Sequence, residues 1–345
     1  TERNKALAAN AATSLPNEDD FKDIDYVTKL PTNAGTYAVL ITSVVGVVSY
    51  GKAIKVFTIA PCPVKIEWSG AVDFIYDGAD HKNNITATAK TTDGTPIDGI
   101  VTKSFTYKAQ GATTSTEVTE VKNAGAYTAT AEITNPNYAL AEGSNATKDF
   151  TVSQKELTVK ANPHQITYGD APSTNGYEIS GYANGETFES ANISGTAKLT
   201  TEYIQGQGVG RYDISVDISE LSSLNYSFKP VNGILTVNKK ELTVKAKDNE
   251  ITYGDEPSAN GYEISGFVNN EAPVPPNISG TVKLTTNYTQ FKDVGKYDIF
   301  VDISGLSSPN YSFKKENGIL TVNKKELTVK ANDHQITYGD EPSAN

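Results

Sequence analysis

Three histidines are the first residues whose chemistry could build a site. They are His81, His164 and His334, and the last two stand at equivalent places of a repeated sequence whose intervening copy has Asn249 instead. Because one copy does without the imidazole, we expect a solvent-exposed turn residue there rather than a general base or a metal ligand. No His-Cys or His-Glu-x-x-His spacing suits zinc.

Acidic residues could hold calcium, which needs several oxygen ligands that converge on one point. Asp170, Asp255 and Asp340 recur after a Tyr-Gly pair, and residues 18–25 form a denser acidic cluster without EF-hand spacing. We expect the recurring acids to form turns in which the carboxylate accepts backbone N–H bonds. For residues 18–25 we expect a solvated turn, with calcium as the alternative.

Covalent chemistry has two candidate places. Lys155 and Asn238 lie in predicted opening and closing strands and could be joined beside a buried acid, but Lys160 alternates outward, so we expect these lysines to face water. Cys62 is the single cysteine, which excludes an internal disulfide. It lies between two prolines, and we expect a lone thiol in an extended segment, with an intermolecular disulfide as the alternative.

No nucleophile and base recur together from copy to copy. We therefore expect no enzyme, and no catalytic, cofactor-binding or metal-binding residue.

Two further features leave open whether the modules bind a ligand. Residues 187–191 and 272–276 differ completely between equivalent loops, so they hold no shared site. Seven N-x-S/T sequons are glycan acceptors in a secreted eukaryotic protein or turn residues in a bacterial one: Asn84, Asn145, Asn192, Asn225, Asn277, Asn287 and Asn310.

Composition excludes two classes of protein. The net charge is −11 and the only arginines are Arg3 and Arg211, so the surface repels phosphate backbones and nucleic acid is not a main partner. Nothing approaches 18 consecutive apolar residues, so we expect no membrane-spanning segment. The chain contains no methionine, which predicts a processed or excised piece of a longer protein.

These residues belong to a tandem repeat with a period of 85 residues. The string KELTVKA begins at Lys155, Lys240 and Lys325, and residues 155–239 align with 240–324 without a gap at 59 identities in 85 positions. Two shorter signatures recur further upstream. They are Gly-x-Tyr, beginning at Gly35, Gly125, Gly210 and Gly295, and Asn-Tyr, beginning at Asn137, Asn225 and Asn310.

Five segments follow from these signatures. We predict an incomplete N-terminal β module at 1–61, modules at 62–154, 155–239 and 240–324, and the opening strands of a truncated repeat at 325–345. Residues 237–242 join one copy to the next without a Gly, Pro or Ser-rich tether, so we expect restricted rotation and an elongated rod.

The repeat is predicted to be all-β. Tyr212, Ile214, Val216 and Ile218 alternate with polar residues, which is the period of a half-buried strand. Short alternating strands separated by turn residues such as Asn232-Gly233 suggest a Greek-key, immunoglobulin-like sandwich of about seven strands. A helix signal occurs only over residues 5–12.

The motifs resemble the bacterial immunoglobulin-like repeats known as MBG domains of the YGX type. The resemblance rests on ITYGD at residues 166–170, Tyr-Ser-Phe at 226–228 and GILTV at 233–237, whereas residues 62–154 look more like the related YDG type, through Tyr-Asp-Gly at 76–78. Such repeats occur as stalks and fibres in large secreted or surface-anchored proteins. The resemblance supplies no catalytic residue, and it favours the bacterial interpretation of the sequons.

We therefore expect a structural stalk or fibre segment of an adhesin-like protein at the extracellular cell surface. Its expected partners are other modules or copies of the same protein, with host or environmental glycans or proteins bound elsewhere. Two alternatives stay open. The modules could bind glycan or host protein themselves, or the chain could be a self-polymerising filament subunit whose ends are completed by strand exchange.

Overall fold

The computed structural model describes residues 3–8, 31–44, 50–70 and 73–341. Over these ranges the protein consists of β-strands with one 3-10 turn, Lys82–Asn84, and no α-helix. The predicted fold class, all-β with tandem immunoglobulin-like modules, is confirmed. In this described part of the chain, no helix is long and apolar enough to cross a membrane.

Packing groups the described residues into two compact units. The first contains the chain up to residue 158 with 179–196 and 218–229, and the second contains 159–178, 197–217 and the chain from residue 230 onward. The repeat 155–239 therefore contributes residues to both units, whereas 62–154 lies in the first and 240–324 in the second.

The first described strands form a three-stranded antiparallel sheet in the order β1-β2-β3: β1 (Arg3–Ala8), β2 (Gly35–Val44) and β3 (Tyr50–Ile59). The helix expected over residues 5–12 is wrong for residues 5–8, because Ala8 pairs with Tyr37 and β1 follows the edge of β2. Backbone pairing along a whole strand outweighs the small helix preference of alanine. Residues 9–12 lie outside the described ranges.

Residues 62–154 form two sheets. Their strands are β4 (Cys62–Gly70), β5 (Asp73–Ile75), β6 (Ile85–Thr91), β7 (Pro96–Ile97), β8 (Val101–Lys108), β9 (Thr116–Val118), β10 (Gly125–Ile133), β11 (Tyr138–Leu140) and β12 (Thr147–Ser153). The sheet orders are β5-β12-β10-β8-β9 and β11-β4-β6-β7.

The two close copies have the same seven-stranded plan, as predicted. In 155–239 the strands are β13 (Lys155–Ala161), β14 (His164–Thr167), β15 (Tyr177–Ser180), β16 (Lys198–Thr201), β17 (Gly210–Asp217), β18 (Tyr226–Val231) and β19 (Gly233–Asn238). In 240–324 they are β20 (Lys240–Ala246), β21 (Asn249–Thr252), β22 (Tyr262–Ser265), β23 (Lys283–Thr286), β24 (Gly295–Asp302), β25 (Tyr311–Glu316) and β26 (Gly318–Asn323). The sheets are β15-β13-β18 with β14-β19-β17-β16, and β22-β20-β25 with β21-β26-β24-β23.

Parallel pairs depart from a purely antiparallel Greek key. The opening strand β20 lies between β22 and β25 and runs parallel to β25, with Lys240 opposite Tyr311. An opening strand thus depends on residues about 70 positions further along the chain. This explains why residues 325–331, which repeat the sequence of β20, are not a strand and are exposed.

The predicted alternation along the strands is confirmed. In β24 the apolar Ile299 and Val301 are buried and the intervening Phe300 is exposed. These two residues pack with Val244 and Ala246 of the opposing sheet and with Leu320 of β26. Two sheets with facing apolar sides therefore enclose one core in residues 240–324.

A tyrosine corner closes one turn of each module. The hydroxyl of each Gly-x-Tyr tyrosine donates to the backbone carbonyl four residues upstream, and the four pairs are Tyr37 to Asn33 (2.9 Å), Tyr127 to Asn123 (2.9 Å), Tyr212 to Gly208 (2.6 Å) and Tyr297 to Asp293 (2.6 Å). Such a corner is characteristic of immunoglobulin-like sandwiches. It fixes the shape of the turn that precedes β2, β10, β17 and β24.

Replacing Leu320 by alanine tests the core of residues 240–324. Leu320 is fully buried, so Leu320→Ala should lower stability by about 2–5 kcal/mol. Its neighbour Ile319 is exposed, and Ile319→Ala should change stability by only about 0.5 kcal/mol. Hydrogen exchange of the β24 and β26 amides measures both. Equal effects of the two variants would contradict the assignment of strand faces.

Candidate functional site

The His164 side chain makes its hydrogen bond within its own copy of the repeat. It opens β14 and is half-buried, so the expectation of an exposed turn residue is wrong. Its Nε2 lies 2.9 Å from Ser173 Oγ, and in the next copy the amide nitrogen of Asn249 lies 2.8 Å from Ser258 Oγ. Histidine and asparagine can therefore exchange because each brings a nitrogen to the same serine. His334 is exposed.

His81 is a buried member of the Tyr-Asp-Gly loop. Its ring stacks on Phe74 with centroids 4.4 Å apart, and Nε2 lies 3.0 Å from Asp77 Oδ1. The backbone N–H of Ala79 and the nearby His81 ring hold the pKa of Asp77 below its usual value. Asp80 accepts the backbone N–H groups of Lys82 and Val121. These bonds order the loop.

The recurring acids form turns, as predicted. A carboxylate oxygen accepts the backbone N–H three residues upstream in all three copies, from Thr167 to Asp170 (2.8 Å), Thr252 to Asp255 (2.9 Å) and Thr337 to Asp340 (2.9 Å). Across the described residues, no three His, Cys, Asp or Glu side chains converge to hold a metal ion. The acidic segment 18–25 lies outside those residues.

Of the two candidate crosslinking residues, Lys155 is half-buried and Asn238 binds a different side chain. The side-chain amide of Asn238 donates to Gln165 Oε1 at 3.2 Å. Lys160 is exposed, as its place in the alternation predicts. Cys62 is an exposed free thiol that begins β4, in agreement with an extended segment.

An asparagine clamp joins successive modules. In each Asn-Tyr pair the asparagine Oδ1 accepts a backbone N–H from the preceding module. The donor is the residue just before the Gly-x-Tyr signature of that module. The three bonds run from Ala34 to Asn137 (2.7 Å), from Ala124 to Asn225 (2.9 Å) and from Val209 to Asn310 (3.0 Å). The two signatures that recur in the sequence therefore meet each other across the joint.

The same asparagines hold the linker. Their backbone carbonyls accept the N–H of the first residue of each opening strand, which is Cys62 (2.8 Å), Lys155 (3.0 Å) or Lys240 (3.1 Å). The residue just before two of these strands also binds the turn: Gln154 donates to the carbonyls of Ser223 and Leu224, and Lys239 donates to that of Ser308. At these two joints the short connection is thus bonded to the following module through two adjacent residues.

A glutamate bridges two tyrosines at the joint between 62–154 and 155–239. Glu186 Oε1 accepts the hydroxyl of Tyr76 from the preceding module at 2.7 Å, and Oε2 accepts that of Tyr226 from its own module at 2.6 Å. The two rings meet edge to face with centroids 5.3 Å apart. Hydrogen bonds to an ionised carboxylate are stronger than neutral ones, and the ring pair adds about 0.5–1.5 kcal/mol.

The next joint repeats this arrangement. Glu271 accepts Tyr168 at 2.5 Å and Tyr311 at 2.7 Å, and the two rings are 5.4 Å apart. The tyrosine hydroxyls are themselves acceptors, since the backbone N–H of Val268 donates to Tyr311 at 3.3 Å. We call each such set, one glutamate and its two tyrosines, a Tyr-Glu-Tyr bridge.

Backbone conformation aims the glutamates. Glu271 closes a turn in which its N–H donates to the carbonyl of Val268 at 3.0 Å, and Asn269 and Asn270 between them have φ of 56° and 57°. Asparagine accepts this left-handed conformation more readily than most residues. Gly169 supplies the close approach, because a Cβ there would lie 2.5 Å from Val268 of the following copy.

The bridge keeps its tyrosines neutral. Burial first, and then the hydrogen bond to Glu186, raise the pKa of Tyr226 to about 12. Burial also raises the pKa of Tyr311 to about 12, with Glu271 adding to the effect. The pKa values of Tyr76 and Tyr168 are raised for the same two reasons. A neutral phenol can donate to the carboxylate, whereas a phenolate would repel it.

Sequence reasoning missed the bridge. The motifs indicate Tyr76 only as part of the Tyr-Asp-Gly signature and Tyr168 only as part of a turn, and they give Glu186 and Glu271 no role. The available signal was the Asn-x-Glu loop that recurs at residues 184–186 and 269–271. The clamp also changes the interpretation of two sequons, because Asn225 and Asn310 use their side chains at joints.

Residues 157–236 and 242–321 match the family model described as MBG domain (YGX type). This match agrees with the resemblance seen in the motifs. None of the curated proteins matches the chain.

Solved structures give weak likenesses. The three N-terminal domains of the Highly Immunogenic Outer Capsid protein (Hoc) of bacteriophage RB49 are 12% identical, with a TM-score of 0.24 over 69% of this chain and 89% of that one. Domains 1–6 of the surface layer protein SbsC are 12% identical, with a TM-score of 0.17 over 91% of this chain and 48% of that one. The Bacillus anthracis TIE protein is 10% identical, with a TM-score of 0.20 over 94% and 69%. Likenesses at this level carry no argument about function.

Removing one glutamate tests the bridge. Glu271→Ala leaves the hydroxyls of Tyr168 and Tyr311 without their acceptor, which should weaken the joint by about 1–3 kcal/mol. The amide of Val209, which is held by Asn310, should then exchange about tenfold faster or more. Glu256→Ala, at an exposed acid of the same copy, is the matched control and should leave Val209 unchanged. Unchanged exchange in Glu271→Ala would contradict the role of the bridge.

Alkaline pH should loosen the same joint. A phenol ionises near 10 when unfolded and at about 12 in Tyr311, so its contribution to stability is fully present below pH 10 and is lost as the pH rises towards 12. Urea unfolding at intervals between pH 8 and 12 measures this loss. Tyr311→Phe, which has no proton to lose there, should show a shallower decline over the same interval. Parallel curves for the two chains would refute the assignment.

Proposed function

We propose that the chain is a structural stalk or fibre segment of a secreted or cell-surface bacterial protein, because residues 157–236 and 242–321 match in tandem the family model described as MBG domain (YGX type). The modules would project a distal tip or build a surface filament. The module boundaries at 61/62, 154/155, 239/240 and 324/325 are part of this proposal.

The observation that carries the proposal is the construction of the joints. Each of two joints combines a Tyr-Glu-Tyr bridge, an asparagine clamp and a linker bonded to the following module through two adjacent residues. A chain that only tethered a tip would need none of these contacts, because a flexible Gly/Ser-rich linker suffices. Contacts that fix successive domains suit a protein that must transmit position or force.

The remaining properties follow from this role. We propose that the chain is not an enzyme, that it has no catalytic, cofactor or metal site, and that its partners are other modules or copies of the same protein. Any recognition of host or environmental glycans or proteins would then belong to other regions. The acidic surface, with a net charge of −11, favours solubility and disfavours nucleic acid.

One observation favours a second candidate, a polymerising subunit. Residues 325–331 repeat the sequence of β13 and β20, yet Leu327 and Val329 are almost fully exposed. A strand-forming segment without partners can add to an incomplete sheet of another copy. In that case residues 325–345 of one molecule would complete the N-terminal module of the next.

Electron microscopy of the purified chain, and of native material at the cell surface, separates these functions. A stalk segment gives single beaded rods of fixed length, whereas a subunit gives long filaments with a regular axial repeat. Deletion of residues 325–345 should leave the rods unchanged; filaments that disappear on this deletion would establish strand exchange instead. Retention of the chain on a mucin surface would overturn the purely structural role.

A further inference from the structure

The end of residues 240–324 that corresponds to the joint surface of the preceding copy faces solvent. Tyr168, which enters the bridge to the next copy, is 3% exposed, whereas the equivalent Tyr253 is 38% exposed. Val209 is held by Asn310, whereas the equivalent Val294 is 41% exposed. We call the surface formed by Tyr253, Phe291 and Val294 the end face.

We propose that the end face is a docking site for another YGX-type MBG domain, which would present an Asn-x-Glu loop and an Asn-Tyr pair to it. This inference rests on the proposed function, since it extends the same joint to a further partner. The bridge glutamate of the arriving domain accepts the Tyr253 hydroxyl, and its Asn-Tyr asparagine accepts the backbone N–H of Val294.

The likeness between the turns of the two close copies supports a docked MBG domain as the partner of the end face. The turn on which Val294 lies is closed by the same tyrosine corner that shapes the turn of Val209, here between Tyr297 and Asp293 at 2.6 Å. The turn that carries Tyr253 is closed by Asp255, as Asp170 closes that of Tyr168. Both halves of the end face are therefore already in the conformation that binds a following domain in the preceding copy.

Phe291 gives the end face its own selectivity. It replaces Gly206, whose position lies against Asn269 of the following copy, and it is 64% exposed with a left-handed φ of 66° that is unusual for a bulky residue. Its ring lies 6.4 Å from that of Tyr253. An arriving domain must pack its loop against this ring, where the preceding joint has only glycine.

The test extends the chain after residue 345 with a copy of residues 261–324, so that residues 325–345 become the opening of a complete domain. Nitration by tetranitromethane, mapped by mass spectrometry, reports how accessible each tyrosine is. In the 345-residue chain Tyr253 should react quickly and Tyr76 and Tyr168 slowly. In the extended chain the rate at Tyr253 should fall at least tenfold.

A matched variant identifies the contact. Alanine in place of the appended glutamate that corresponds to Glu271 should restore the fast reaction of Tyr253, while Glu341→Ala, at the exposed acid that corresponds to Glu256, should not. If Tyr253 stays reactive in the extended chain while Tyr76 and Tyr168 stay protected, the docking proposal is wrong, but the contacts at the two existing joints are supported. If Tyr76 and Tyr168 are themselves reactive, the proposed function fails as well.

Discussion

The half-buried carboxylates of Glu186 and Glu271 are the groups on which the two best-defined joints depend. A charge held between two domains must be compensated, and each of these accepts one phenol from its own copy and one from the preceding copy. The residues around each glutamate are suited to this compensation. Left-handed asparagines aim the glutamate, Gly169 leaves room for the loop, and burial keeps the phenols protonated so that they can donate. Each of these groups therefore supports the others at the same joint.

Much of the fold could be predicted from the sequence because it is local or periodic. Alternation gave the buried face of β17 and β24, and the turn chemistry of Asp170 and its equivalents is confirmed by their hydrogen bonds. The joints could not be predicted, because a period shows which residues recur and not which residues meet. Asn310 and Val209 lie about 100 positions apart, and each signature was visible without its partner.

Within residues 325–341, one element depends on local contacts and another depends on residues far along the chain. The turn at Thr337 and Asp340 forms as it does in the complete copies, because both partners are present three residues apart. The strand sequence of residues 325–331 does not pair, because in β20 its neighbours come from β22 and β25. The helix expected over residues 5–12 is wrong for residues 5–8 for the same reason, since an available strand edge decided the conformation of those residues.

The placement of the two halves of a bridge in every close copy has a genetic consequence. Each of these domains carries the accepting glutamate at one end and a donating tyrosine at the other, so any copy inserted between two others finds a match on both sides. Recombination between such similar coding units can add or remove whole 85-residue steps without a compensating substitution. Array length is then free to vary under selection, except at a unit that carries a change such as Gly206 to Phe291, because its ring restricts which copy can follow it.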